Sequence, residues 1–317
     1  MSFARLMMLT ALALVAFAGN SLLGRIALKQ TGIDAASYTT IRLISGAIML
    51  WLLTQFGQAR VGQAQVGQAR VGQARVGRMG TNSNSNRNSG NWWSALALFV
   101  YAAGFSSAYL SLSTGTGALL LFGAVQVTMI GYGLWQGERL HGRQLVGLVL
   151  GLGGLIGLML PGLAAPPLAG SSLMLIAGLA WGVYSLRGKG AGNPVRVTAG
   201  NFLRATPIAL ALSLVLFNQT SLTTTGVMYA IASGAFASGI GYAIWYAVLP
   251  SLKATTAATV QLGVPVIAAL GGIAFLGEPI TQRLLLASIA ILGGIAMVIL
   301  EKPSVPKNVA PAEAIRE

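Results

Sequence analysis

Six carboxylates, one histidine and no cysteine are all that this 317-residue chain offers to acid–base, nucleophilic or metal chemistry. The carboxylates are Asp34, Glu138, Glu278, Glu301, Glu313 and Glu317, and each lies between apolar runs, at the end of one, or in the C-terminal tail. General acid–base catalysis needs a titratable group held against the reacting atom, and a metal centre needs converging ligands. His141 stands by itself in a short polar stretch and is assigned no role. The absence of cysteine excludes disulfides and thiolate-bound metals. These residues predict no catalytic group, no metal and no cofactor, and they argue against an intramembrane enzyme such as a lipid transferase or protease.

The chemistry that remains is recognition. Within the apolar runs stand Asn20, Tyr101, Gln126, Trp181, Tyr184, Tyr242 and Gln261. Buried Tyr and Trp offer an apolar face plus one donor that needs a partner, and ligand pockets combine apolar walls with a few placed polar groups. The same side chains could instead bond neighbouring helices. Pro265 cannot donate to the carbonyl of Gln261 and crowds that turn, which predicts a kink. Its freed carbonyl would either meet a substrate ammonium or serve packing alone. Arg42 and Arg204 also lie inside apolar runs. They are either a clamp for a substrate carboxylate or structural cations that snorkel to backbone carbonyls. A proton relay or ion-coupling site needs an ionisable group at depth, and no acid is found there. The expected cargo is therefore neutral or zwitterionic and partly apolar, moving down its own gradient.

The elements that must position these groups are long apolar helices. Hydrophobic residues make up 55% of the chain and charged residues 8%, against about a quarter charged in soluble domains. A bilayer core takes roughly 20 apolar residues per helix. Such spans fall near 6–28, 35–56, 92–113, 115–136, 143–163, 168–187, 197–217, 225–249, 254–276 and 281–300. Residues 57–91 repeat a Val-Gly-Gln-Ala-Arg pentad and then turn to Asn and Ser, which predicts a mobile, low-complexity loop. Residues 301–317 form a polar tail, also expected to be disordered. The net charge of +14 does not signal nucleic acid, because the cations are scattered between the apolar runs. Fifteen lie on the side of both termini (Arg5; five in 57–91; Arg139 and Arg143; Arg187, Lys189 and Arg196; Lys253; Lys302, Lys307 and Arg316). Only Arg25, Lys29 and Arg283 lie on the other. The positive-inside rule then makes both termini cytoplasmic, which requires an even number of crossings.

The chain also repeats itself. Gly123, Gly137-Glu138, Arg143 and Leu152-Gly153-Gly154 recur at a constant offset as Gly263, Gly277-Glu278, Arg283 and Leu292-Gly293-Gly294. Ala16-Phe17-Ala18 matches Ala180-Trp181-Gly182, and Arg42 matches Arg204, at slightly larger offsets that the pentad insertion explains. Each half has five spans, an odd number, so the second enters the membrane upside down. The expected fold is all-α: residues 1–163 form one five-helix repeat and 164–300 its inverted copy, an architecture of transporters with midplane sites.

The stretch Ala254–Ile280, with Gln261-Leu-Gly-Val-Pro265 leading to Leu276-Gly-Glu278, resembles the drug/metabolite transporter superfamily in its ten-helix EamA-like branch. The Gly-Glu ending of both the fourth and ninth spans, the intramembrane arginines and Trp181-Gly182 agree with it. Within that branch the chain most resembles YddG-type aromatic amino-acid exporters. The resemblance implies export of neutral or aromatic amino acids or related metabolites across a bacterial inner membrane. It departs from a symmetric pattern where Leu121 and Val125 stand opposite Gln261 and Pro265. The glycine pairs Gly133xxxGly137, Gly147xxxGly151 and Gly153xxxGly157 allow close helix approach, within one chain or between two. The expected partners are a small-molecule substrate and the lipid bilayer, with the chain a monomer or homodimer.

Overall fold

The computed structural model describes residues 2–71, 90–137, 142–160, 165–188, 193–248, 251, 260–261 and 263–300. Among them the elements are helices: α1 (Phe3–Gln30), α2 (Ala35–Val71), α3 (Trp92–Tyr109), α4 (Thr114–Trp135), α5 (Gly142–Met159), α6 (Leu168–Gly188), α7 (Pro194–Val215), α8 (Thr224–Val248), α9 (Gly263–Leu276) and α10 (Gln282–Leu300). A 3-10 turn, Phe217–Gln219, follows α7. Seven helices are long and apolar enough to cross a bilayer, and Gly263–Leu276 and Gln282–Gly294 are shorter apolar helices. The chain is a multi-pass membrane protein. Its outer surface carries exposed Leu12, Val15, Ile48, Val149, Ile176 and Leu270, apolar groups suited to lipid. Trp92, Trp93 and Trp135 stand exposed at helix ends, where amphipathic rings meet the headgroups.

The helix starts follow local chemistry. Asn91, Ser113, Asn193 and Thr223 cap α3, α4, α7 and α8 with side-chain oxygens, each satisfying an N–H that would otherwise lack a partner. Gly137 and Gly277 both adopt positive φ, 90° and 62°, a conformation that favours glycine at the residue after a helix. After α9 this turn lets the Glu278 N–H reach the Gly272 carbonyl at 3.1 Å.

Asp34 starts α2 and also ties two loops together. Its carboxylate accepts from the Ser37 N–H at 2.9 Å and from the Ser221 N–H at 3.0 Å. Partial burial works against the ionised form, but the amides of Ser37, Ser221 and Ala36 prevail and hold the pKa below its usual 3.8. A lowered pKa means that this stabilisation is complete at neutral pH and fades as pH falls through the depressed value. Asp34→Ala is expected to cost about 1 kcal/mol, the usual worth of a cap. The variant should also lose, relative to wild type, the part of the acid-induced fall in melting temperature that this carboxylate causes. An unchanged acid profile in thermal melts would contradict this.

Helix packing relates the two halves. α3 packs on α6 as α8 packs on α1, α4 on α6 as α9 on α1, and α3 on α7 as α8 on α2. Three further pairs, α2–α7, α5–α10 and α4–α9, map onto themselves. Exchanging every helix for the one five places along therefore preserves this set of contacts. In α5–α10 a Cβ at Gly294 would overlap the backbone of Gly147 and Gly151, whereas one at Gly153 or Gly157 would meet nothing within 4 Å. The Gly147xxxGly151 pair thus serves packing within the chain, and the second α5 pair does not.

One element differs from expectation. The α2 backbone continues past residue 56 through the first pentads to Val71, where the sequence predicts a mobile loop. Gln, Ala and Arg in the pentad are good helix formers, and one glycine in five costs about 1 kcal/mol without forbidding the helix. Residues 260–261 and 263–276 are helical and residue 262 lies outside the described ones, so Pro265 stands in helical backbone, where it cannot donate to the Gln261 carbonyl. The expected loop end at 72–89, Glu138, His141, the turn at 252–259 and the tail at 301–317 lie outside the described residues.

Candidate functional site

Asn20, Tyr101, Trp181 and Tyr242 come from α1, α3, α6 and α8, two helices of each half, and converge on one small cavity. Phe17, Ser21, Phe105, Leu121, Phe122 and Ala237 complete its wall. Trp181 is the hub, with ring centroids 4.8 Å from Tyr101, 5.0 Å from Tyr242 and 5.5 Å from Tyr184. Phe17, the counterpart of Trp181 in the repeat, also packs edge-on to Tyr242 at 5.8 Å. Such tilted and edge contacts each add roughly 0.5–1.5 kcal/mol beyond burial.

A hydrogen-bonded chain of side chains runs through this wall. The Ser233 hydroxyl donates to Asn20 Oδ1 at 2.6 Å, and Asn20 Nδ2 donates to the Tyr101 hydroxyl at 3.2 Å. Arg42 Nη2 donates to the same hydroxyl at 2.8 Å, and Arg42 Nε reaches the Ser238 hydroxyl at 3.4 Å. Ser233 and Ser238 belong to a π-helical stretch, Ser233–Ile240, within α8. π-turns occur frequently at functional sites because they re-aim side chains out of the regular ladder. Here the widened turn brings both hydroxyls to the centre.

Arg42 departs from the snorkelling reading. It lies within α2, in the second turn of the helix, and is only 1% exposed. Its guanidinium carbon lies 4.7 Å from the Phe105 ring centroid and 5.1 Å from that of Tyr101. Stacking on two rings keeps this weakly hydrated cation inside. Its repeat counterpart Arg204 does what the plainer reading expects, donating to the Gly200 carbonyl at 2.9 Å.

The remaining sequence candidates lie elsewhere. Tyr184 stacks on Trp181, and its hydroxyl takes a bond from Asn201 Nδ2 at 3.5 Å. Gln126 is buried but faces a crevice formed with α5 and α10. Pro265 lines a different cleft between α4, α9 and α10. Gln261, just before α9, is half-buried. Neither the polarity of Gln126 nor its place in the repeat hints that it faces away. Sequence reasoning misses Phe17, Phe105, Ser233 and Ser238, because a single Phe or Ser in an apolar run carries no signal. The small-residue string Ser233-Gly-Ala-Phe-Ala-Ser-Gly is the available clue.

Two cavities differ sharply in size and lining. The cleft beside Pro265 has about 210 Å³ and the cavity beneath Trp181 about 20 Å³. The larger is walled almost wholly by aliphatic groups, and Leu270 and Leu285 on its rim are exposed to the lipid side. Its one charged group, Glu278, is already engaged. The smaller holds the polar and aromatic groups from both halves, although its present volume admits about one water.

Glu278 closes one end of the bundle. Its carboxylate accepts from the Thr114 N–H at 2.8 and 3.0 Å and pairs with Arg25 Nε at 3.3 Å. Arg25 Nη1 also donates to the Tyr109 carbonyl at 2.9 Å. From the sequence, Glu138 and Glu278 are expected to cap or pair at loop junctions, with Arg143 and Arg283 as candidate partners; Glu278 both caps α4 and forms an ion pair, but with Arg25. Arg283 instead meets the Leu160 carbonyl, and the observed pair joins the ends of α1, α3, α4 and α9. Arg25 lies five residues beyond Asn20, about 7.5 Å along α1 at roughly 1.5 Å per residue.

Comparisons with other proteins agree with this architecture. Residues 168–300 match the EamA-like transporter family. An uncharacterized protein of Pseudomonas aeruginosa is 52% identical over 295 residues, 93% of this chain and 94% of that one. An uncharacterized transporter of Archaeoglobus fulgidus is 24% identical over 219 residues, 66% of this chain and 77% of the relative. The threonine/homoserine exporter RhtA of Salmonella typhimurium is 31% identical over 147 residues, 44% of this chain and 48% of that protein. A solved crystal structure aligns over 91% of this chain and 96% of its own, with a TM-score of 0.56 at 18% identity, which shows a shared fold alone.

Proposed function

We propose that the chain is a member of the EamA-like transporter family, whose model its residues 168–300 match, and that it exports small neutral or aromatic amino acids by alternating access. The observation that carries this reading is the convergence of Asn20, Tyr101, Trp181 and Tyr242 from both halves on one cavity. In an inverted repeat the cargo sits where the halves meet, and the exchange-preserving helix contacts support that symmetry. The reading includes ten crossings, cytoplasmic termini and an inner-membrane location. Stacked aromatic walls suit an apolar side chain, and the partial likeness to a threonine/homoserine exporter supports an amino-acid cargo.

The collapsed cavity is the closed form in this scheme, since ligand sites usually measure about 300 Å³ or more. The Arg25–Glu278 pair shuts the face opposite the termini. Separation of α1 and α3 from α6 and α8 would then open room under Trp181. No acid lies in the wall, so flux follows the cargo gradient and a pH gradient is not required.

Uptake of labelled tryptophan, threonine and glutamate into proteoliposomes tests this. Tryptophan and threonine should enter saturably without a pH gradient. Trp181→Ala should reduce tryptophan entry at least tenfold, as expected for loss of a central aromatic anchor worth about 2 kcal/mol. No saturable entry of any amino acid, or entry only under a pH gradient, would overturn the cargo or the coupling respectively.

A further inference from the structure

Arg42 is buried beside the cavity with donors that nothing among the described residues accepts. Its Nη1 has no hydrogen-bond partner. The Tyr101 hydroxyl already accepts twice, from Arg42 Nη2 and from Asn20 Nδ2. Guanidinium has no acceptor capacity, while a phenol keeps one proton to donate. The Tyr101 proton is therefore a second donor awaiting an acceptor, and Tyr101 lines the cavity. The two carboxylates among the described residues do not supply one. Asp34 is bonded to Ser37 and Ser221, and Glu278 to Thr114 and Arg25. Burying a cation with no anion is expensive, and stacking on Phe105 and Tyr101 offsets only part of that.

We infer that Arg42 and Tyr101 form a carboxylate site, and that the cargo is a carboxylate bearing an apolar or aromatic body. This rests on the transport reading above and narrows its substrate class. The carboxylate takes Arg42 Nη1 and the Tyr101 proton, a charge-assisted pair of bonds. The body of the cargo lies against Trp181, Tyr242 and Phe17. Because no described carboxylate stands by to hold an ammonium, a deaminated acid binds at least as tightly as the amino acid. Arg204, its counterpart in the repeat, donates to the Gly200 carbonyl instead.

The test uses the full chain in nanodiscs with four probes: indole-3-acetate, L-tryptophan, tryptamine and tryptophanamide. Thermal shift and equilibrium binding should place both carboxylates at least tenfold tighter than both carboxylate-free amines. Arg42→Met should remove that preference, Arg42→Lys should keep part of it, and Tyr101→Phe should weaken carboxylate binding several-fold while leaving the amines unchanged. Wild-type binding needs no variant to fold, so the ligand series stands by itself. Equal binding with and without the carboxylate, tighter amines, or binding of tryptophan but not indole-3-acetate overturns the site. Carboxylate-dependent binding without flux in proteoliposomes keeps the site and overturns transport. Flux of all four probes alike overturns the site and keeps transport, and neither binding nor flux overturns both.

Discussion

Removing the charge of Glu278 opens the cavity to reagent from the face opposite the termini. The chain has no cysteine, so Ser21→Cys supplies a single thiol in the cavity wall, at a residue 1% exposed in the closed form. In an otherwise native chain this thiol should react slowly with a membrane-impermeant maleimide. Glu278→Gln weakens its bonds to the Thr114 amide and deprives Arg25 of its anion. Both side chains are mostly buried, 15% exposed for Arg25 and 13% for Glu278. Breaking a fully buried pair by removing one partner costs about 3–5 kcal/mol, and partial exposure discounts that to about 2 kcal/mol. At about 1.4 kcal/mol per decade the closed population falls more than tenfold relative to the open one. Labelling from that face should rise by the same factor. Arg25→Gln should act alike, and the double variant should add little, since one interaction is being removed twice. Unchanged labelling in all three would show that the pair does not hold the bundle shut.

The second large effect is structural. Gly234 lies in the π-helical stretch of α8, where a Cβ would overlap the Arg42 carbonyl and the Ser45 hydroxyl of α2. Backbone cannot yield there without pulling Ser233 from Asn20 and Ser238 from Arg42. Gly234→Val should therefore destabilise by about 3 kcal/mol or more, at the upper end for overpacking. It should abolish the monodisperse peak in size-exclusion chromatography. Gly153→Ala is the control, because a Cβ there meets open space, and melting should hold or rise, since alanine is favoured over a mid-helix glycine by up to about 1 kcal/mol. A folded Gly234→Val protein with native melting would mean that α2 and α8 do not approach as closely as described.

The effects of Glu278 and Gly234 differ in how far the sequence announces them. The Gly-Glu ending, present at matching places in both halves, marks both positions as structural, and both glycines take positive φ. That Glu278 meets Arg25, at the far end of the chain from it, is invisible in either motif. The same holds for Arg42. Its place in an apolar run is plain, but its burial against Phe105 and Tyr101 depends on α3 packing beside α2.

By itself the sequence determined the class of molecule. Apolar runs of about twenty residues, few charges and asymmetric cations leave a chain little choice but membrane helices, since every backbone group must bond within its own segment. Residues that recur between the two halves are visible in the sequence as well, and the helix contacts are compatible with an exchange of those halves. Only the tertiary structure decided which face of each helix looks inward. In a soluble helix the polar face betrays its orientation, but a membrane helix is apolar toward both lipid and neighbours. Nothing in the pattern therefore separates Gln126, turned toward α5 and α10, from Asn20, turned to the cavity. Tyr101 and Trp181 became a site because packing of α3 on α6 brought them together.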